Sequence, residues 1–286
     1  MAWTARLKRL RDHAERRLPV VTTLTGRLLS ANLLDAATRL AAQAFLAAVP
    51  LLFALAAFTP HSVREQFLAS LRTMFGLAGR SDQALQEVLG DSTDAALRET
   101  TGIVGLVVAL VSATGFSRAM ARVCERAWGL PRAGTRIAAW RWVVWLLVLV
   151  PAVLLLGPLR DGLGAGMWLG APLVLLASTG VWLWTQHLLP AGRVSWLPLL
   201  PGALLAAAAT SALALTARLY MPTALNRALG EYGSLGLVLT VLSWLIVLCA
   251  AVTFAVTIGA VLAVEPPLDR FLARPGDDTG ADDQRR

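Results

Sequence analysis

The sequence predicts an all-α integral membrane bundle of six transmembrane helices, with an N-terminal amphipathic helix and short external helices. Three observations carry that prediction. First, six long stretches contain no Asp, Glu, Lys or Arg: residues 40–63, 100–117, 142–159, 162–192, 194–217 and 232–264. Crossing a hydrocarbon core of about 30 Å takes about 20 apolar residues at about 1.5 Å each, and a soluble helix of that length ordinarily keeps a charged outer face. Second, the segments between the runs alternate between arginine-rich and arginine-poor. Third, the chain is 56% hydrophobic and only 15% charged, with a mean hydropathy of +0.62, outside the composition of ordinary soluble domains.

The alternation predicts orientation. Lys and Arg number 8 in residues 1–39, 6 in 118–141, 1 in 187–198 and 4 in 265–286, so these four segments hold 19 of the chain's 26. The intervening segments 59–101, 158–167 and 218–234 hold 4, 1 and 2. The positive-inside rule therefore places both termini in the cytoplasm. A net charge of +8 would ordinarily raise nucleic acid as a partner, but these charges flank membrane ends, where they meet anionic headgroups. No nucleic-acid partner is expected.

Residues 1–38 read as a cytoplasmic basic segment. Trp3, Leu7, Leu10, Ala14 and Leu18 form one stripe among Arg6, Lys8, Arg9, Arg11, Arg16 and Arg17, the pattern of a helix lying in a headgroup plane. No apolar h-region of a cleavable signal is found there. The transmembrane domain covers 39–264, with spans at about 39–58, 102–120, 140–158, 167–188, 199–220 and 235–264. Span one contains Gln43 and Pro50, and Pro50 is expected to kink or break it. In the external segment 59–101, Phe67, Leu68, Leu71, Met74 and Phe75, then Leu85, Val88 and Leu89, predict two short amphipathic helices. Asp82, Glu87, Asp91, Asp94 and Glu99 surround them as a solvated face.

Span two is rich in small residues suited to close helix packing in lipid. Beyond it Arg118, Arg122 and Arg126 recur every fourth residue, on one face of a helix leaving the membrane. Arg forks match phosphate geometry, so this face is either an anionic-headgroup site or topogenic charge. Trp140, Trp142 and Trp145 predict an interfacial belt at the start of span three, which carries Pro151; Trp182, Trp184, Gln186 and His187 predict another at the end of span four. Gly230, Gly233 and Gly236 open the last span and permit a tight re-entry or close helix contact. The polar tail 265–286 reads as disordered.

Catalytic chemistry is missing from the pattern. His13, His61 and His187 lie in separate segments without metal-ligand spacing. There is no phosphate-binding loop ending in Lys-Ser/Thr and no G-x-S-x-G elbow, and the six spans hold no Asp or Glu. Cys124 and Cys249 are not expected to form a disulfide. The chain is read as a non-enzyme without metal or cofactor. Helix-breaking and polar positions inside an apolar bundle remain, and transporters place substrate sites at such breaks.

Several segments resemble the YihY/virulence factor BrkB family of inner-membrane proteins, formerly labelled ribonuclease BN. RLAAQAFLAAVPLLFALAAF at 39–58 is similar to the family's first span, with an aromatic, Phe45, before Pro50. FSRAMARVCERAWGLP at 116–131 resembles its basic helix and Trp after the second span. Tyr232-Gly233, Trp244 and Gly259-Ala260 match its closing pattern. The resemblance covers about 35–265. Two positions depart from it: Phe45 stands where Tyr is often found, and Val261 where Glu is common. The resemblance implies a bacterial inner-membrane protein, some of whose relatives are associated with movement of envelope lipids or other solutes. The old ribonuclease label finds no clustered carboxylates here to hold two metals.

The resulting expectation is a transporter or lipid translocase without its own ATPase. The alternatives are a non-conducting scaffold of the cell envelope and, last, a ribonuclease. Membrane lipids, especially anionic headgroups, are the expected partners, with a homo-oligomer or an envelope protein also possible. Arg118, Arg122, Arg126, Gln43, Thr114 and Tyr232 are the candidate lipid-binding residues. Pro50, Pro151 and Gly233 are the candidate helix breaks of a gated cavity.

Overall fold

The computed structural model describes residues 33–58, 95–131 and 167–264, together with Arg141, Val144, Trp145, Val148, Leu149 and Ala152 as separate helical positions. The expected amphipathic helix at 1–18, the external helices with Asp82, Glu87, Asp91 and Asp94, Pro151 and the polar tail lie outside the described residues, whereas Glu99, expected in the external segment, falls within the second described helix. The described regular structure is entirely helical: α1 (Leu33–Phe58), α2 (Ala95–Ala127), α3 (Met167–Leu188) and α4 (Trp196–Val264). Among the described residues, α4 is the one helix that is long and apolar enough to cross a membrane, with a mean hydropathy of 2.7 over its most apolar stretch.

A straight helix of 69 residues would extend about 100 Å, but α4 does not run straight. Gly233 has φ 60 and ψ −146, a combination that a side chain disfavours strongly and that belongs essentially to glycine. There the chain reverses into two arms, 196–232 and 234–264. A Cβ on Gly236 would strike the carbonyl of Ala228, so the return arm starts against the end of the outgoing one. Ala217, Met221 and Leu225 of the first arm pack on Leu237, Val241 and Trp244 of the second. Further on, Gly259 lies against the backbone of Gly202. The stretch expected as a loop, 218–234, is helical as far as the reversal and includes Pro222.

Proline does not interrupt the other helices. Pro50 sits inside an unbroken α1, as Pro172 does inside α3. The expected break at Pro50 is therefore absent: the helix forgoes one backbone hydrogen bond there and continues, a loss that neighbouring turns of a membrane helix accommodate. Glycine at positive φ reverses the chain where proline only removes a donor.

The main core joins the N-terminal half of α1 to the C-terminal end of α2 and the return arm of α4. Ala36, Ala37, Leu40 and Ala41 pack with Ala119, Met120, Val123 and Cys124, and with Val252, Val256 and Ala260. Helices α1 and α2 are thus antiparallel, and Gln43 meets Gly115 where they cross. The start of α1, the end of α2, the α3–α4 turn and the end of α4 gather at one end of the bundle; the Gly233 reversal stands at the other. Trp145 is buried in this core, its indole N–H donating to Thr185 Oγ1 at 3.1 Å and its ring 5.5 Å from that of Phe116. A hydroxyl inside the bundle satisfies its polar edge; Trp140 and Trp142 of the expected belt lie outside the described residues. Gln186 is likewise fully buried, against Gly202.

Candidate functional site

Helix α2 continues past its apolar stretch to Ala127, so Arg118, Arg122 and Arg126 are carried on regular helix as expected, all three exposed. It ends in a Schellman cap. Leu130 N–H donates to Glu125 O at 2.8 Å and Gly129 N–H to Arg126 O at 3.2 Å, with Gly129 at φ 62. Helix α3 ends in the same way, with Gly192 N–H on His187 O at 2.9 Å and Ala191 N–H on Leu188 O at 3.1 Å. Here Ala191, not glycine, takes the left-handed position at φ 70.

Arg193 fastens the two caps together. Its guanidinium donates to Glu125 Oε1 at 2.7 Å, to Pro131 O at 2.5 Å and to Pro190 O at 2.7 Å. The Glu125 side chain is 7% exposed, and the Arg193 guanidinium balances its charge inside. Beside it the Cys124 thiol is pushed up to about 12 by burial, with the Glu125 carboxylate adding to the effect. It stays protonated and is no nucleophile.

The consequence falls on the neighbouring face of α2. The carboxylate nearest in sequence to Arg122 and Arg126 is engaged elsewhere, and among the described residues neither arginine has an ion-pair partner. They face α1 across a groove of about 320 Å³ whose wall is Ala36, Arg39, Ala119, Arg122, Val123 and Arg126. Arg39 also reaches Asp35, with Nε 3.1 Å from Oδ2. Two like charges one turn apart on a helix repel by about 0.2–0.5 kcal/mol, so an anion in this groove removes a repulsion as well as making new contacts.

Arg118 is not in the groove. It turns back along its own helix, donating to Thr114 O at 3.2 Å and to Thr114 Oγ1 at 3.1 Å. The structure thus brings Arg122 and Arg126 together with Arg39, which sequence reading had counted only as a charge flanking span one. The signal for Arg39 was available in its spacing. Arg39 follows Ala36 by one turn and precedes Gln43 by one turn, so any antiparallel pairing that sets Gln43 on Gly115 brings Arg39 near residues 119–122. Gln43 and Thr114 sit at the α1–α2 crossing. Tyr232 and Gly233 lie at the far end, where Tyr232, Tyr220, Met221 and Trp244 line a separate groove of about 520 Å³ between the arms of α4. Val261 is 2% exposed, an environment that suits valine and would leave a carboxylate desolvated. Among the described residues no three His, Cys, Asp or Glu side chains converge as a metal set would.

The family model described as Virulence factor BrkB matches residues 24–275. No curated protein and no solved structure matches the chain.

Proposed function

The chain belongs to the virulence factor BrkB family, and on that footing we propose that it is a multi-pass inner-membrane transporter of lipid with no ATPase of its own. The observation that carries this reading is the groove at Arg39, Arg122 and Arg126, a cationic recess at the end of an otherwise apolar bundle. Arginine forks at that depth suit a phosphate headgroup. Apolar surface for the acyl chains is close by: Leu46 on α1 and Val104, Val107 and Val111 on α2 are all more than half exposed. A soluble protein would not leave so much contiguous apolar surface in water. A bilayer solvates it.

The arms 196–232 and 234–264 each exceed the roughly 20 residues that one crossing needs, so α4 supplies two crossings with its reversal at the outer surface. The arginine groove and the Arg193 clamp then face the cytoplasm. Support for this orientation comes from the clamp, because it ties residues 125–131 to residue 193, two segments that the charge count assigns to the same side. Single cysteines replacing the exposed Ser195 and Ser234 test it, since Cys124 and Cys249 are buried. Ser234→Cys is expected to react with a membrane-impermeant maleimide in intact cells, and Ser195→Cys only after permeabilisation. The reverse pattern would invert the orientation.

Transport is tested by reconstituting the protein in liposomes that carry a fluorescent anionic phospholipid. Inner-leaflet label is expected to reach an external quencher faster than in protein-free vesicles, and Arg122→Gln/Arg126→Gln is expected to slow that exposure about tenfold or more, the effect of losing roughly 1.4 kcal/mol of headgroup binding. No acceleration by folded protein would favour the scaffold reading over the transporter.

A further inference from the structure

We propose that the arginine groove selects a phosphate monoester, which can carry two negative charges, over a phosphate diester, which carries one. The inference rests on the reading of this groove as a headgroup site and specifies its ligand. It comes from counting the charges that face the groove. Arg39 is compensated by Asp35, with Nε 3.2 Å from Oδ1 and 3.1 Å from Oδ2. Arg122 and Arg126 have no such partner among the described residues, and the carboxylate between them in sequence, Glu125, is buried and turned to Arg193. Two guanidiniums therefore stand uncompensated one helical turn apart, and a dianion balances both where a monoanion balances one.

The shape agrees. About 320 Å³ is at the small end of ligand sites, enough for a compact phosphate but not for acyl chains. Ala36 and Ala119 form part of the wall, so among the described residues short side chains leave an anion access to the guanidiniums. A monoester also presents three terminal oxygens, which two forks can share in paired hydrogen bonds. A diester has two.

Selectivity of this kind carries a pH signature that belongs to the ligand. A phosphate monoester loses its second proton near pH 6, whereas a diester is a monoanion throughout that range. Among the described residues, the charged groups around the groove are Asp35 and Arg39 on α1 and Arg118, Arg122 and Arg126 on α2. The α4 arm that packs against both helices is uncharged from 232 to 264. His187 does not line the groove: it stacks on Trp196 at 4.0 Å, with Nδ1 2.9 Å from Val194 O.

The test measures binding of the full chain, in phosphatidylcholine nanodiscs, to fluorescent phosphatidate and to phosphatidylglycerol with the same acyl chains. Phosphatidate is expected to bind about tenfold tighter at about pH 8, with the advantage fading toward about pH 5 as the second proton returns. Phosphatidylglycerol binding should stay flat over the same interval. Arg122→Gln/Arg126→Gln should abolish the preference, and Arg122→Lys/Arg126→Lys should keep part of it, which separates charge from folding. Equal affinity for the two lipids, both above the phosphatidylcholine background, would overturn the dianion preference and leave the lipid reading standing. Binding of neither would overturn both. Displacement of phosphatidate by inorganic phosphate at equal concentration would overturn a lipid as the source of the phosphate.

Discussion

Gly259→Ala is expected to destabilise the bundle by about 3 kcal/mol or more, at or beyond the upper end of what overpacking usually costs. The reason is the identity of the atoms in the way. A Cβ at residue 259 would be driven into the Cα and amide nitrogen of Gly202, and backbone on a packed helix cannot step aside as a side chain can. To relieve the clash the two arms of α4 must separate where Ala203, Ala206, Ala255 and Ala260 are buried. Gly202→Ala makes the informative comparison. Its Cβ would lie 2.7 Å from Gln186 Oε1, the far end of a flexible side chain. Among the described residues, neither polar atom of that amide has a hydrogen-bond partner to lose. A cost of about 1 kcal/mol is expected there. Thermal unfolding of the two variants in one detergent measures the contrast, and equal losses would mean that the Gly202–Gly259 contact does not hold the arms together.

The same pair of residues marks how far sequence reasoning reached. The Gly259-Ala260 pair was visible only as part of the family's closing pattern. Its partner at residue 202 was not, because nothing local connects positions so far apart; the connection exists only once Gly233 has reversed the chain. Gly233 itself was legible as a point of re-entry, since glycines at 230, 233 and 236 interrupt an apolar stretch and supply backbone freedom that other residues lack. Pro50 was overread. Its signal is a missing donor, which a helix can absorb, whereas a positive φ forces a change of direction.

The arginine face illustrates a second limit. Period-four spacing correctly predicted that residues 118, 122 and 126 share one helical face, because that is set by geometry within the helix. Which of them points into a groove depends on what lies opposite. Thr114 captures Arg118 from within the same helix, and α1 supplies Arg39 from another. Trp145 and Gln186 were read as interfacial from their residue type; that they are also buried follows from partners such as Thr185 and Gly202, which pattern alone does not disclose.

Arg193→Ala is expected to cost about 3 kcal/mol of stability, near the lower end for breaking a buried ion pair. Arg193 is itself 28% exposed and only Glu125 is deeply buried. Glu125→Gln should cost less, since an amide oxygen can still accept from the Arg193 guanidinium. Combining the two changes should cost less than the sum, because no uncompensated charge then remains inside; denaturant unfolding of the three variants measures this. The same clamp bears on the groove. Glu125 lies one turn from Arg122 and next to Arg126, so loss of the Arg193 guanidinium leaves its carboxylate with more of its charge acting on those two arginines. Arg193→Ala is therefore expected to weaken anionic-lipid binding severalfold, although residue 193 lines no part of the groove. Arg193→Ala/Glu125→Gln should restore that binding while leaving Arg193's other contacts broken. A purely structural role predicts the opposite ordering for binding, with the double variant no better than the single. The two readouts, unfolding and lipid affinity, thus separate Arg193 as a strut from Arg193 as the residue that keeps the groove positively charged.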